Sequence, residues 1–394
     1  MKDNFWQHNQ NKEKSWPTFD EAVMDFLEAL AAAIRCDEEC IGYPEIRAFG
    51  FWCRRSNLIE MKERMHYEAG KKYIGKGSVF HIAPSNVPVM FAYSLVLGLL
   101  AGNKNVVRIS SRCGEGDRHL ARVIDEVLAQ EKHKKMRERI IIVQYERDDA
   151  ITRRYINGSD ACVFWGGDET VAKMHALIEK DGITEVSFPD RYGLCILHAD
   201  ELAKYSDEEM EHLAHRFYND TYVMDQNACS SPRLVVWYTL GTTGCIQETK
   251  KRFWKALYKE SLAYPLEEDK VCAKFGLLAA STMKHEEISH VTRYDNRLYV
   301  AHLEKLPKQV DELEGKFGFF YEYETDDLKT VGDSVGEKLQ TITVAEMKRE
   351  ALEHLTNHKN AKNLARVVAI GAALQMDMVW DNKNLIEELS MVEK

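Results

Sequence analysis

The chain has 394 residues, 45% hydrophobic, 29% charged and 10% aromatic, which excludes a disordered protein and suits two globular domains, three at most. Its 22 glycines and 8 prolines are too few for a collagenous or low-complexity chain. Acidic residues outnumber basic ones 63 to 53, a formal charge of −10 with no long Lys/Arg block, so no nucleic-acid or anionic-membrane partner is expected, although a local basic pocket for one small phosphate is compatible.

The opening MKDNFWQHNQNKEK is polar and charged, unlike a secretory signal peptide. The first 75 residues read as helices. Within them TFDEAVMDFLEALAAAI has apolar residues at helical spacing, with Thr18 the expected N-cap and Glu21 three positions on. From Val79 strands and helices alternate. Strands are expected at 78–83, 105–110, 139–145 and 160–165, with helices over about 89–101, 116–131 and 169–179. Such alternation calls for a parallel sheet covered on both faces, a nucleotide-binding architecture. The run from Gly77 to Asn103 lacks charge and is long enough for a bilayer. Pro84, Asn86 and Pro88 interrupt it, so it reads as a buried strand, a tight loop and a buried helix from near Val89, and no membrane span is expected.

A second α/β segment follows, with strands at 193–199, 233–239 and 297–303 and helices over SDEEMEHLAHRFYND and TKKRFWKALYKESL. The tail from Ala345 reads as mostly helical, with WDNKNLIEELS a closing element. No repeat or linker marks a border, which is placed near residue 190.

The nine cysteines, at 36, 40, 53, 113, 162, 195, 229, 245 and 272, are scattered and form no Cys-x-x-Cys pair, which fits a reducing cytoplasm. Cys229 stands apart, in the loop Asp225-Gln226-Asn227-Ala228-Cys229-Ser230-Ser231-Pro232 before the RLVVWY strand. Among turn-forming polar residues its sulfur can be accessible and nearby backbone N–H groups can stabilise charge. The competing reading is a small buried hydrophobe.

Asn86 lies between Pro84 and Pro88 at the mouth of a helix, on a stiff backbone. Its amide can donate to an oxyanion with the helix N-terminus adding positive potential. Taken alone, a helix cap is the simpler reading. Gly166 and Gly167 join a strand to a helix and allow close approach of a phosphate or nicotinamide ribose, or form a plain turn. Arg108, Ser110, Ser111 and Arg112 end a strand with cations and hydroxyls, which suits a 2′-phosphorylated dinucleotide, NADPH, better than an acidic residue would. Solvated surface arginines are the alternative. His212-x-x-His215 and His354-x-x-x-His358 lack a third ligand, so no metal is expected. Cys36-x-x-x-Cys40 reads as packing or surface, and His81 as a satisfied core histidine.

Seven motifs in order, YPEIRAFGFWCRRSNL, HIAPSNVP, NVVRIS, FWGGDE, SFPDRYG, DQNACSSP and VVAIGAALQMDMVWDNKNL, make the chain from about Gly42 onward resemble the aldehyde dehydrogenase superfamily. Within it the resemblance is to the LuxC-type acyl-CoA reductases, the fatty acyl reductases of bacterial bioluminescence operons. It implies an α/β, aldehyde dehydrogenase-like fold of two three-layer α/β/α domains with mostly parallel sheets. Residues 1–190 would form a helical N-terminus and dinucleotide-binding domain, 191–345 a catalytic domain, and 346–394 a helical segment packing back on the core.

By the same resemblance Cys229 is the nucleophile, and the Asn86 amide with the Cys229 backbone N–H is the oxyanion hole. Arg108 stands where the superfamily usually has a lysine at the adenosine ribose, and Gly166 and Gly167 face the cofactor. Two departures stand out. The hydrolytic members' glutamate is replaced within Ser187-Phe188-Pro189-Asp190-Arg191, and the usual Trp-Asp-Gly reads Trp380-Asp381-Asn382. Without that base, water is not activated and a thioester can await hydride. The expected reaction is NADPH-dependent reduction of a long-chain acyl-CoA, or of an acyl-adenylate, to the aldehyde, with CoA as leaving group. An acyl-protein synthetase partner and a homo-oligomer are implied as well. The alternatives are a hydrolytic NAD(P)-dependent aldehyde dehydrogenase, with Asp190 as base, and a non-catalytic acyl-accepting subunit of a fatty acid reductase complex.

Overall fold

The computed structural model describes residues 15–241 and 243–393, the side chains of 243–245 excepted; the opening MKDNFWQHNQNKEK lies outside them. The chain divides into two units, one of residues up to Asp190 together with those from Met376 onward, the other Arg191–Gln375.

In the first unit, helix α1 (Glu21–Cys36) buries Val23, Phe26, Leu27, Leu30 and Ile34, the three-to-four spacing of one apolar face. Its cap is Asp20 rather than Thr18. Phe19 turns the chain at φ 53°, the Thr18 N–H is engaged by Tyr73 O, and the Asp20 carboxylate accepts the Ala22 N–H at 2.9 Å. Five strands follow: β1 (Ser78–Ile82), β2 (Lys104–Ile109), β3 (Ile140–Gln144), β4 (Ala161–Trp165) and β5 (Thr184–Phe188). They pair in the order β3-β2-β1-β4-β5, every pair parallel. Both β1 and β4 are buried throughout, as a sheet covered on two faces requires. Between the strands run α2 (Met90–Leu100), α3 (Glu115–Ala129) and α4 (Asp168–His175). Helix α2 is apolar all round and buried from Phe91 to Leu100, which marks a core helix.

This order places the chemistry. The chain leaves β1 for β2 and β3 on one side, then returns to β1's other side for β4 and β5. The connections leaving β1 and β4 therefore diverge, opening a crevice beyond their carboxyl ends where ligands of such sheets bind.

In the second unit seven strands, β6 (Tyr192–His198), β7 (Pro232–Tyr238), β8 (Ile288–Tyr294), β9 (Leu298–Leu303), β10 (Phe319–Thr325), β11 (Leu339–Ala345) and β12 (Arg366–Ala369), pair in the order β12-β11-β6-β7-β10-β9-β8. Only the β8–β9 pair is antiparallel. Helices α5 (Asp207–Thr221), α6 (Thr243–Ser261) and α7 (Glu268–Lys284) accompany it.

The tail differs from the mostly helical segment expected over 346–394. It holds β12 at the edge of the second sheet, a hairpin of Val379–Trp380 with Lys383–Asn384, and a strand, Ser390–Val392, antiparallel to Tyr73–Gly75. Its residues up to Gln375 belong to the second unit and those from Met376 to the first. Strand pairing with distant partners overrides local helix preference here. Among the described residues no helix is long and apolar enough to cross a membrane.

Candidate active site

Asn86 lies exposed in the loop between β1 and α2. It does not cap the helix. Val89, at φ 57°, holds the cap position with no side-chain cap bond, and its N–H donates to Asp117 Oδ1 at 2.8 Å. Asp117 is buried in the first turn of α3. Burial pushes its carboxyl up while the Val89 N–H pulls the other way. The helix entrance is thus fastened from a neighbouring helix, and the Asn86 amide is spared that task.

Beyond β4, Gly166 donates its N–H to Phe188 O at 3.3 Å, and Gly167 caps α4. A Cβ on Gly167 would meet nothing within 4 Å, so this turn has open space for a ligand. The first turn of α4 carries Asp168 and Glu169, a poor cradle for a pyrophosphate and a good acceptor pair for ribose hydroxyls. Phe188 is 3% exposed and stacks on Trp165 with centroids 3.9 Å apart and planes 10° apart. Lys383 reaches over it, Nζ 5.5 Å from the ring centroid, and donates to Ser187 O at 3.0 Å. No carboxylate occupies this position. Asp190 is exposed, and its N–H bonds Asp168 Oδ1 at 3.2 Å. The Trp380-Asp381-Asn382 turn closes without a glycine. Asp381 and Asn382 take φ 48° and 60°, the left-handed conformation that Asn and Asp tolerate best.

At the carboxyl end of β2, Arg108 is half-buried, donates from Nη2 to Tyr145 O at 3.1 Å and lies 4.9 Å from the Tyr145 ring centroid. The Ser110 hydroxyl accepts the Arg112 N–H at 3.1 Å, and Ser111 and Arg112 are exposed. The arginine is anchored rather than idle, with its charge left at the carboxyl end of the sheet. Asn86, Arg108, Ser110, Ser111, Gly166 and Gly167, spread over 82 positions of sequence, all lie at or beyond the carboxyl ends of β1, β2 and β4, Arg108 as the penultimate residue of β2.

In the second unit, Cys229 is half-buried, while Cys36 and Cys272 are exposed and Cys40, Cys53, Cys113, Cys162 and Cys195 are buried. Burial pushes up the thiols of Cys53, Cys162 and Cys195, which makes them inert. The loop carrying Cys229 is fastened at both ends. Asp225 and Gln226 adopt φ 54° and 56°. The Gln226 amide donates to Pro232 O at 3.3 Å and Phe319 O at 3.2 Å, and accepts the Gly318 N–H at 2.8 Å. Tyr264 and Lys270 hold the Asp225 carboxylate. On the far side the Ser231 hydroxyl donates to Asp220 O at 2.7 Å. Buried Asp220, whose carboxyl burial raises to about 6, accepts the N–H groups of Gly371 at 2.6 Å and Ala373 at 2.9 Å. Gly193 is required on β6: a Cβ there would fall 2.3 Å from Ser230 O.

His81 is the satisfied core histidine expected, 2.7 Å from Ser94 Oγ and 2.9 Å from Asn105 Oδ1. His215 pairs with Glu260, and His358 with Asp333. Sequence reasoning missed Asp117, Asp220 and Gln226, whose importance lies in partners far along the chain.

A family model described as Acyl-CoA reductase (LuxC) matches residues 54–382. No curated protein matches the sequence. Among solved structures, an NAD-dependent aldehyde dehydrogenase from Sinorhizobium meliloti is 13% identical with a TM-score of 0.70 over 99% of this chain and 85% of that one. An NAD-dependent benzaldehyde dehydrogenase from Corynebacterium glutamicum is 14% identical, TM-score 0.66, over 99% and 88%. PnpE in complex with nicotinamide adenine dinucleotide is 12% identical, TM-score 0.65, over 98% and 88%. At these identities the likeness shows the fold, which is aldehyde dehydrogenase-like as expected.

Proposed function

The chain belongs to the LuxC family of acyl-CoA reductases, and on that premise we propose that it reduces a long-chain acyl group, supplied as its CoA thioester or another activated form, to the aldehyde with NADPH. The observation that carries the reading is the setting of Cys229: half-buried, on a loop held by Gln226 and Ser231. A nucleophile needs such a compromise, accessible to substrate yet fixed in place.

The reaction proposed conserves atoms and charge. The Cys229 thiolate attacks the acyl carbonyl carbon, and by the family's pattern the tetrahedral oxyanion would be held by the Asn86 amide and the Cys229 backbone N–H. The carbon–sulfur bond to CoA breaks, CoA leaves as thiolate, and the acyl group remains on Cys229 as a thioester. Bound NADPH supplies two electrons as hydride. Hydride addition to the thioester carbon leaves an oxyanion, which forms the aldehyde carbonyl as the carbon–sulfur bond breaks and Cys229 is restored as its thiolate.

The first unit fits the dinucleotide. The open turn at Gly167 and the acceptors Asp168 and Glu169 suit a ribose, and Arg108, Ser110 and Ser111 offer a cation and hydroxyls to a 2′-phosphate. Buried Phe188 leaves water without a base where the hydrolytic superfamily members carry one, so reduction is favoured over hydrolysis. Self-association and an acyl-protein synthetase as donor rest on the family alone, and a cytoplasmic setting on the scattered cysteines.

Intact-mass spectrometry tests the proposal. Native protein mixed with palmitoyl-CoA should gain one acyl group that NADPH discharges, and Cys229→Ala should gain none. An adduct on Cys229→Ala sinks the assignment. An adduct that NADPH leaves in place favours an acyl-accepting subunit, and free acid in place of aldehyde favours a hydrolytic enzyme.

A further inference from the structure

A second cluster of reactive side chains lies in the first unit, in none of the segments just assigned. Asp37 follows the end of α1, Cys40 lies in the short turn Glu39–Gly42, and His119 is in the N-terminal half of α3. One donor atom from each, a carboxylate oxygen, the thiol sulfur and a ring nitrogen, lies within 4.8 Å of the others. Cys40 is wholly buried and His119 is 6% exposed.

The group is pre-arranged. Asp37 Oδ1 accepts the N–H groups of Glu39 at 2.8 Å and Cys40 at 3.4 Å, which leaves Oδ2 facing His119 Nε2 at 2.9 Å. Nδ1 of the same ring lies 3.1 Å from Glu39 Oε1 and 3.0 Å from Arg122. A carboxylate stands against each ring nitrogen, the arrangement in which a metal on one nitrogen is backed by a carboxylate accepting the proton of the other.

We propose that Asp37, Cys40 and His119 bind a thiophilic divalent cation of the zinc class, with Glu39 orienting the imidazole from outside the ligand set. A sulfur, a nitrogen and an oxygen are a zinc-type donor set, and tetrahedral donors stand roughly 3.3–3.6 Å apart. The Asp37–His119 contact must therefore open by a few tenths of an ångström. Binding releases the Cys40 thiol proton and any proton on Nε2, and the fourth position is left to water. The ion ties the end of α1 to α3, a link between segments 82 residues apart. Without it, the contacts of the His119 ring with Asp37 and Arg122 hold the cluster together.

Cobalt reports the sulfur directly. The full chain, stripped with EDTA, is titrated with Co2+ and then Zn2+. One equivalent of Co2+ should bind with a thiolate charge-transfer absorption that Zn2+ removes. Cys40→Ser and His119→Asn should abolish that absorption, and Glu39→Gln, at an exposed position, should weaken Zn2+ binding about tenfold. Cys229→Ser should retain the band. A native chain with no thiolate absorption, a band lost in Cys229→Ser but kept in Cys40→Ser, or native affinity in Glu39→Gln overturns the proposal. Should Cys40→Ser fail to fold, His119→Asn and Glu39→Gln decide.

Discussion

The Val89 N–H donates to the Asp117 carboxylate at 2.8 Å, so a residue on α3 holds the entrance of α2. Removing that acceptor leaves a buried N–H without its partner, a cost of about 1–3 kcal/mol. Asp117→Ala should lower the unfolding midpoint and, because the loop before Val89 carries Asn86, lower kcat as well. Asp117→Asn keeps an oxygen in place and should lose less of both. Equal kcat in native and Asp117→Ala protein would separate the loop from the chemistry.

Phe188 is stacked on Trp165, in the segment where the family resemblance sets the hydrolytic base, and the carboxylate of Asp190 in the same segment is exposed. Asp190→Asn should leave the ratio of acid to aldehyde product unchanged. If acid formation in the native enzyme is substantial and disappears in this variant, Asp190 is the base.

Arg108 offers its charge at the carboxyl end of β2. A charge-assisted hydrogen bond is worth about 1.5–3 kcal/mol, so Arg108→Glu should raise KM for NADPH at least tenfold. KM for NADH should change much less. Parallel loss with both cofactors means that Arg108 acts through its bond to Tyr145 O rather than on a 2′-phosphate.

His81 gives an acid limit. Burial pushes its imidazole down to about 4, against the Asn105 hydrogen bond. The unfolded chain takes up this proton near 6.5 and the folded chain only near 4, so the stability contribution is whole above 6.5 and drains away as pH falls toward 4. The shift corresponds to about 3 kcal/mol. Asp220, raised to about 6, acts in the opposite sense over part of that range. The quantity to measure is therefore the difference in urea stability between native and His81→Gln proteins across the window. A difference independent of pH refutes the assignment.

The turn at Asp381 and Asn382 makes a small, sharp prediction. Asn382 holds φ 60°, so Asn382→Gly should be neutral or slightly stabilising, and Asn382→Val should cost about 1–2 kcal/mol. Thermal unfolding of the two variants checks it.

Strands β1 to β4, β6, β7 and β9 were legible because buried parallel strands read as apolar runs. Strands β8, β10 and β12 were not: ISHVTRY and RVVA mix charge and exposure, FFYEYET sets two glutamates among its aromatics although no residue of it is exposed, and only their partners make them strands. The same division runs through the site. Cys229 could be picked from its polar loop and its motif, whereas Asn86 read more simply as a cap until Asp117 was found holding Val89.

Residue identity and short-range spacing determined by themselves the alternating α/β class, the reactive residue types and their family. Tertiary structure alone decided that β4 returns beside β1, that Asp117 relieves Asn86 of capping, and that His119 meets Asp37 and Cys40. The reason is range. Helix and strand preference is written in neighbours a few residues apart, but strand order and side-chain convergence follow from burying the whole chain's apolar surface at once.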